Sequence, residues 1–325
     1  MPRRRVTARS RRETLRSVWF VIGMTALMVS LLVAGTITLE HMLREDAAEA
    51  VAAQVEDPQA PLAPEQWQEV DYVAMGDSYS AGPGLPVQVD VPCRRSNGNY
   101  PSLLAAKFQV STFTDVTCSG ARTLDVTEEQ ARPDGTMVAP QIEALSRDTD
   151  LVTISIGGND ESVFNSLVTT CPQLALEDPD GAPCQAALAG DEDTLERQSD
   201  RLESRLAGII RLIRQEAPQA QVVLIGYPAI FPLTGPCDAL PFAAGDVPWA
   251  ARVVDAVVDG MRAAAENVGV RFVDLREASA GHDVCSVDPW IAGASASDSG
   301  AAPWHPLPSG MKAMAQAVHR QLTGA

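Results

Sequence analysis

A serine becomes a nucleophile only with three kinds of help: a base to take its proton, a group to hold that base, and donors for the oxyanion. Ser78 stands where such help could converge. It lies in Tyr72-Val-Ala-Met-Gly-Asp-Ser-Tyr-Ser-Ala-Gly-Pro-Gly84, where the mainly apolar run 70–75 stops abruptly at Gly76-Asp77-Ser78. This reads as a buried strand delivering a serine to a turn at the carboxyl edge of an α/β sheet, where such folds expose reactive groups. Taken alone, the same residues also fit a plain strand-to-helix loop with Ser78 as its N-cap.

Four histidines could supply the base. His41 borders a long apolar segment, and His319 falls inside a C-terminal helical pattern, where solvation is expected. His282, in a loop beside Asp283, remains a candidate. His305, in Trp304-His-Pro-Leu-Pro-Ser-Gly310 just before the last helix, can reach the same edge as Ser78. Oxyanion donors are available at two places. Ile156-Gly-Gly-Asn159-Asp160 ends a strand in a glycine turn and could aim the Asn159 amide. Cys118-Ser-Gly-Ala121 ends a weaker strand, with Gly120 offering a bare backbone N–H. Asp77 and Asp160 are expected to brace these turns. No His flanks either in a metal-ligand pattern, so the site is expected to need no metal or organic cofactor.

The elements that must position these residues alternate along the chain. Strand patterns cover 70–75, 109–116 (the weaker one), 151–156, 221–225 and 270–274, and several are near-continuous apolar runs of the kind buried on both faces. Helical spacing links Leu195, Leu202, Leu206, Ile209, Ile210 and Ile213 up to Pro218. It also links Val253, Val254, Val257, Val258 and Met261 up to Gly269, then Met311, Met314, Ala315, Val318 and Leu322. Shorter helices are expected over 99–107 and 137–146. The alternation predicts a three-layer α/β/α sandwich around a parallel sheet of five strands. Three long stretches, 161–194, 232–248 and 276–304, follow strands and read as loops over the carboxyl edge.

Charge and targeting bound the function further. The net charge of −17 opposes binding to phosphate backbones and excludes nucleic acid as an expected partner. Residues 1–16 run against that balance, with seven Arg and one Glu. Residues 18–39 then carry no charge over about 33 Å of helix, enough to cross a bilayer. The pattern predicts a basic cytoplasmic N-terminus (1–16), an uncleaved transmembrane signal anchor (17–39) and a Pro- and Ala-rich linker (40–65). An exported domain (66–325) follows. All six cysteines follow the apolar segment, and none forms a Cys-x-x-Cys pair. Of 15 connectivities, nearest-neighbour pairing is the working hypothesis: Cys93–Cys118, Cys171–Cys184 and Cys237–Cys285, each stapling loops at one edge of the sheet.

Gly76-Asp-Ser78, Gly120, Gly-Gly-Asn159-Asp160 and His305-Pro306 follow the order and spacing of the four blocks of the GDSL/SGNH hydrolases. Across roughly residues 70–322 the chain resembles that family. Cys93-Arg-Arg-Ser, Asn99-Tyr-Pro101 and Cys118-Ser-Gly-Ala121 resemble its secreted, disulfide-bearing esterase/lipase branch typical of actinobacteria. The resemblance implies a flavodoxin-like fold and hydrolysis of carboxylic esters, with small or lipid-like acyl esters as substrates. It implies Ser78 as nucleophile and His305 as base, with the Ser78 and Gly120 N–H groups and the Asn159 amide as oxyanion hole. One departure stands out. The family often has Asp three residues before its His, and here that residue is Ala302. The order of expectation for the orienting group is the Ala302 main-chain carbonyl, then Asp298, then Asp288. Two alternatives to a lipase or simple esterase stay open: a cell-envelope carbohydrate O-acetyl esterase and a non-catalytic surface binding module.

Overall fold

The structure, a computed structural model, describes residues 64–190 and 194–324 together with the single position 24. The expected signal anchor and most of the linker lie outside these residues. Among the described residues no helix is long and apolar enough to cross a membrane.

Five parallel strands form the central sheet: β1 (Asp71–Gly76), β2 (Thr112–Asp115), β3 (Leu151–Ser155), β4 (Gln221–Ile225) and β5 (Arg271–Val273). Their spatial order is β2-β1-β3-β4-β5. β1, β3 and β4 are almost wholly buried, as strands covered on both faces must be. The period of two along each strand then sorts side chains between two cores. Val73, Met75, Val152 and Ile154 join one core with the helices α5 (Thr194–Glu216) and α6 (Val247–Val268). Tyr72, Ala74, Leu151 and Val223 join the other with α2 (Tyr100–Phe108) and α7 (Pro308–Thr323). The result is the three-layer α/β/α sandwich expected from the alternation.

Each long helix is fixed by its apolar stripe and by what ends it. On α5, Leu202, Leu206, Ile210 and Ile213 are buried at helical spacing. Truncating one of them to Ala costs about 2–5 kcal/mol by analogy with other cores. α6 ends at Gly269, whose left-handed backbone lets its N–H cap the last carbonyls. α2 opens with Asn99, whose side chain accepts the Ser102 N–H. Trp67 stacks on Phe108, so the chain is packed onto this layer four residues before β1 begins.

Two expectations need correction. The stretch 161–194 is not simply a loop: it folds into α3 (Val163–Leu174) and α4 (Pro183–Leu188), joined by the Cys171–Cys184 disulfide. The stretch 137–146 is not an α-helix. Pro140 interrupts it, leaving a short strand pair (Gln130–Ala131 with Met137–Val138) and a 3-10 turn, Gln141–Ala144. A second short pair, Gln88–Asp90 with Arg95–Ser96, had no clear alternation to announce it. Disulfides also join Cys93 to Cys118 and Cys237 to Cys285. All three pairs link segments that follow strands.

Candidate active site

Ser78, Gly120, Asn159 and His305 come from four segments that leave the carboxyl ends of β1, β2, β3 and β5. They all line one open cleft of about 600 Å³. The chain runs from β1 to β2 on one side and to β3 on the other, and such a reversal in strand order leaves a crevice at the carboxyl edge.

Ser78 is the first residue of a single helical turn, α1 (Ser78–Ala81). It is not an N-cap. That role belongs to Asp77, whose Oδ1 accepts the Tyr79 N–H at 2.9 Å. Gly76 has φ 141, and a Cβ there would meet Ser155 O and Ser80 Oγ at 2.5 Å, so only glycine lets β1 turn this sharply. Gln141, a buried side chain, clamps the Gly76 peptide from both sides, accepting from its N–H at 2.8 Å and donating to its carbonyl at 2.9 Å.

The oxyanion candidates are tied together. Asn159 donates one amide proton to Ala121 O at 3.0 Å, leaving the other for the cleft. Asp160 accepts from the Thr123 N–H and hydroxyl at 3.0 and 2.6 Å. Thus the block after β3 holds the loop after β2. Ser119 donates its N–H to Cys93 O, and Ala121 donates to Cys118 O. Between them, the Gly120 N–H has no acceptor among the described residues, and neither has the Ser78 N–H. Two free backbone donors and one amide proton on a common cleft are what a developing oxyanion requires.

His305 is held from every side. Its backbone N–H donates to Ala302 O at 3.2 Å and its carbonyl accepts from Ala292 at 2.9 Å. The Tyr79 ring lies beside the imidazole, and its hydroxyl donates to Trp304 O at 2.6 Å. Trp304 takes a left-handed backbone, φ 65, and packs its indole against Phe231 and Phe242. The expectation for Ala302 is corrected here. The carbonyl at 2.7 Å from His305 Nδ1 belongs to Pro303, while Ala302 O is taken by the His305 N–H. A carbonyl can only accept, so Nδ1 carries the proton and Nε2 keeps its lone pair. Burial, opposed by the Pro303 carbonyl and reinforced by Arg94, lowers the imidazole to about 4, so the ring is neutral at physiological pH.

The other candidates stand elsewhere. Asp298 is exposed. Asp288 O contacts His282 Nδ1 at 2.7 Å, and the His282 ring stacks on Trp290, so this pair forms its own cluster. His319 is not simply solvated but stacks on Phe108. Among the described residues no group of three or more His, Cys, Asp or Glu could hold a metal ion. Two residues escaped sequence reasoning altogether, Gln141 and Tyr227. Tyr227 donates to Asp77 Oδ2 at 2.5 Å and accepts from the Gly158 N–H at 2.8 Å. Burial, against the hydrogen bonds from Tyr227 and Tyr79, raises Asp77 to about 7.

The model of the GDSL-like lipase/acylhydrolase family matches residues 74–313. The chain belongs to this family. Its curated relatives include Lipase 2 of Streptomyces coelicolor, 39% identical over 261 residues, a match spanning 76% of this chain and 84% of that one. Among solved structures, the chain is similar to phospholipase A1 from Streptomyces albidoflavus NA297 (30% identity, TM-score 0.61, 77% of this chain and 98% of that one). It is also similar to the extracellular lipase of Streptomyces rimosus (30% identity, TM-score 0.59, 78% and 99%). The protein is thus a carboxylic ester hydrolase of the GDSL type, with a parallel five-stranded sheet.

Proposed function

We propose that this GDSL hydrolase is an extracytoplasmic serine esterase or lipase working through an acyl-enzyme on Ser78. His305 Nε2 takes the Ser78 proton as Oγ attacks the ester carbonyl carbon. The oxyanion is met by the Ser78 and Gly120 N–H groups and the Asn159 amide. As the tetrahedral intermediate collapses, the bond to the alcohol oxygen breaks and His305 returns the proton to that oxygen. Water then repeats the sequence on the acyl-enzyme and frees the acid. Pro303 O replaces the usual carboxylate behind the imidazole, giving a Ser-His dyad; Asp77 and Asp160 hold the turns. The observation that carries this reading is the pair of unpartnered N–H donors, Ser78 and Gly120, on the same cleft as His305.

The domain limits follow the sequence: residues 1–16 in the cytoplasm, 17–39 as anchor, 40–65 as linker and 66–325 as the hydrolase. Three disulfides and relatives that include an extracellular lipase support an oxidising location. Membrane sedimentation with protease accessibility of the full chain tests the anchor.

A narrow crevice beside Ser78, lined by Phe164, Ile230, Val253, Val254 and Val257, has room for about 30 Å³. That is close to one methyl group, and it favours a second reading, an O-acetyl esterase. The decisive assay takes the oxidised full chain through p-nitrophenyl esters from acetyl to palmitoyl, beside Ser78→Ala. Serine-dependent turnover supports the dyad, and the chain-length optimum separates acetyl esterase from lipase. A folded protein without turnover on any ester would sink both readings and favour a binding module.

A further inference from the structure

The cleft that holds Ser78 and His305 is basic, in a chain whose net charge is −17. Arg94, Arg122 and Arg132 line it against a single carboxylate, Asp125. That carboxylate is buried and paired with Arg122 at 3.2 Å. Arg94 and Arg132 have no carboxylate within ion-pair distance among the described residues, and Arg94 makes no side-chain hydrogen bond there either. A charge-rich acidic protein offers many partners, so two unmatched guanidinium groups in one cleft need an explanation.

Both arginines are fastened to the loop that carries Gly120. Arg94 follows Cys93, whose sulfur is bonded to Cys118 and whose carbonyl accepts the Ser119 N–H at 3.0 Å. Its backbone is left-handed, φ 52, a conformation that arginine adopts only at a cost. Arg132 reaches the same loop from the other side. Its Nη1 donates to Ser119 O, and it lies 3.6 Å from where a Gly120 Cβ would be. The two cations therefore hold to the loop that carries Gly120 and line the cleft with Ser78 and His305, while the narrower crevice at Val253 and Val254 shares only Ser78, Asn159 and Phe164 with that cleft.

Resting on the esterase reading, we propose that Arg94 and Arg132 form an anion subsite that selects esters whose alcohol half bears a phosphate group. A guanidinium fork matches the geometry of phosphate oxygens, and the cleft has the volume for a phosphorylated alcohol that the crevice lacks. Such an alcohol could be a glycerol phosphate, as in a membrane lipid, or a phosphorylated sugar of the envelope.

The test uses the oxidised full chain with soluble butyryl esters of glycerol, glycerol 3-phosphate, glucose and glucose 6-phosphate. The read-out is the ratio of kcat/KM between each phosphorylated ester and its neutral partner. We expect that ratio to be about tenfold or more, as charge-assisted hydrogen bonds imply. It should shrink in Arg94→Gln, fall below one in Arg94→Glu and be retained only in part in Arg94→Lys, which keeps the charge without the fork. A preference confined to glycerol 3-phosphate identifies the lipid source, and one confined to the sugar phosphate the glycan source. A ratio near one in the native protein, or equal ratios in all four proteins, overturns the subsite. Should no ester turn over, the esterase reading fails, and calorimetry with glycerol 3-phosphate still decides the subsite: binding by the native protein but not by Arg94→Glu supports it, and no binding overturns it.

Discussion

Tyr227 donates its phenolic proton to Asp77 while accepting the Gly158 N–H, so one hydroxyl joins the turn before Ser78 to the turn before Asn159. The turns that carry Ser78 and Asn159, the proposed nucleophile and oxyanion donor, are thereby tied together, although their segments leave different strands.

Tyr227→Phe should therefore leave a buried carboxylate and a buried N–H unsatisfied, costing about 1–3 kcal/mol for each orphaned group. Asp77 is raised by burial to about 7, above its unfolded value near 3.8. Between those values the folded protein binds more protons than the unfolded chain, so its stability falls as pH rises through that window. Without the Tyr227 proton the carboxyl rises further, and the fall should extend beyond pH 7. Melting temperatures from pH 4 to 9 measure this; parallel curves for the two proteins would contradict it.

His305, lowered to about 4, stays neutral well into the acid range. The acid limb of kcat/KM should accordingly lie far below 6.5, the ordinary imidazole value. Arg94→Gln removes a cation that disfavours the imidazolium, so the limb should move to higher pH. A limb near 6.5 that ignores this substitution would argue that His305 is not the base.

With Pro303 O behind Nδ1, the proposed dyad needs neither Asp288 nor Asp298 to orient the ring. Asp288→Asn and Asp298→Asn should each retain kcat within a few-fold. A loss on the order of a thousandfold in either would restore a carboxylate to the mechanism.

Gly84 has φ 81, and a Cβ there would run into Gly300 O and come within 2.8 Å of Ala302 N. Ala302 also donates to Pro83 O at 3.0 Å, so this turn braces the segment leading to His305. Gly84→Ala should push that segment away, reducing kcat more than it raises KM. Steady-state kinetics on p-nitrophenyl acetate separate the two.

Replacing both Cys93 and Cys118 by Ala opens a link across 25 residues of chain, worth about 3.5 kcal/mol in the loop-entropy account. Denaturant unfolding should register that loss.

The sheet was legible because runs such as 151–156 and 221–225 are short and largely apolar, the pattern of strands buried on both faces. The long helices were legible from stripes such as Leu206, Ile210 and Ile213. The short helix expected over 99–107 is found at Tyr100–Phe108, but α3 and α4 were not legible, since what joins them is the Cys171–Cys184 pair, which local spacing does not encode. Within the candidate site, turn and proline chemistry marked Ser78 and His305 in the sequence, and both line one cleft. Nothing marked Tyr227 and Gln141, because a polar side chain at a strand end or in a short turn has no signature until its distant partner is known. Pro303 was missed by one residue: the left-handed Trp304 swings the chain so that the ring meets the carbonyl two positions back, not three.

The hydrogen bond from Tyr79 to Trp304 spans 225 residues of sequence. On the proposed assignment, a nascent chain that has emerged as far as Ser299 carries its nucleophile but no base. Ester cleavage then begins only once the C-terminal segment has been delivered and docked, so membranes met earlier along the export route face an inert protein.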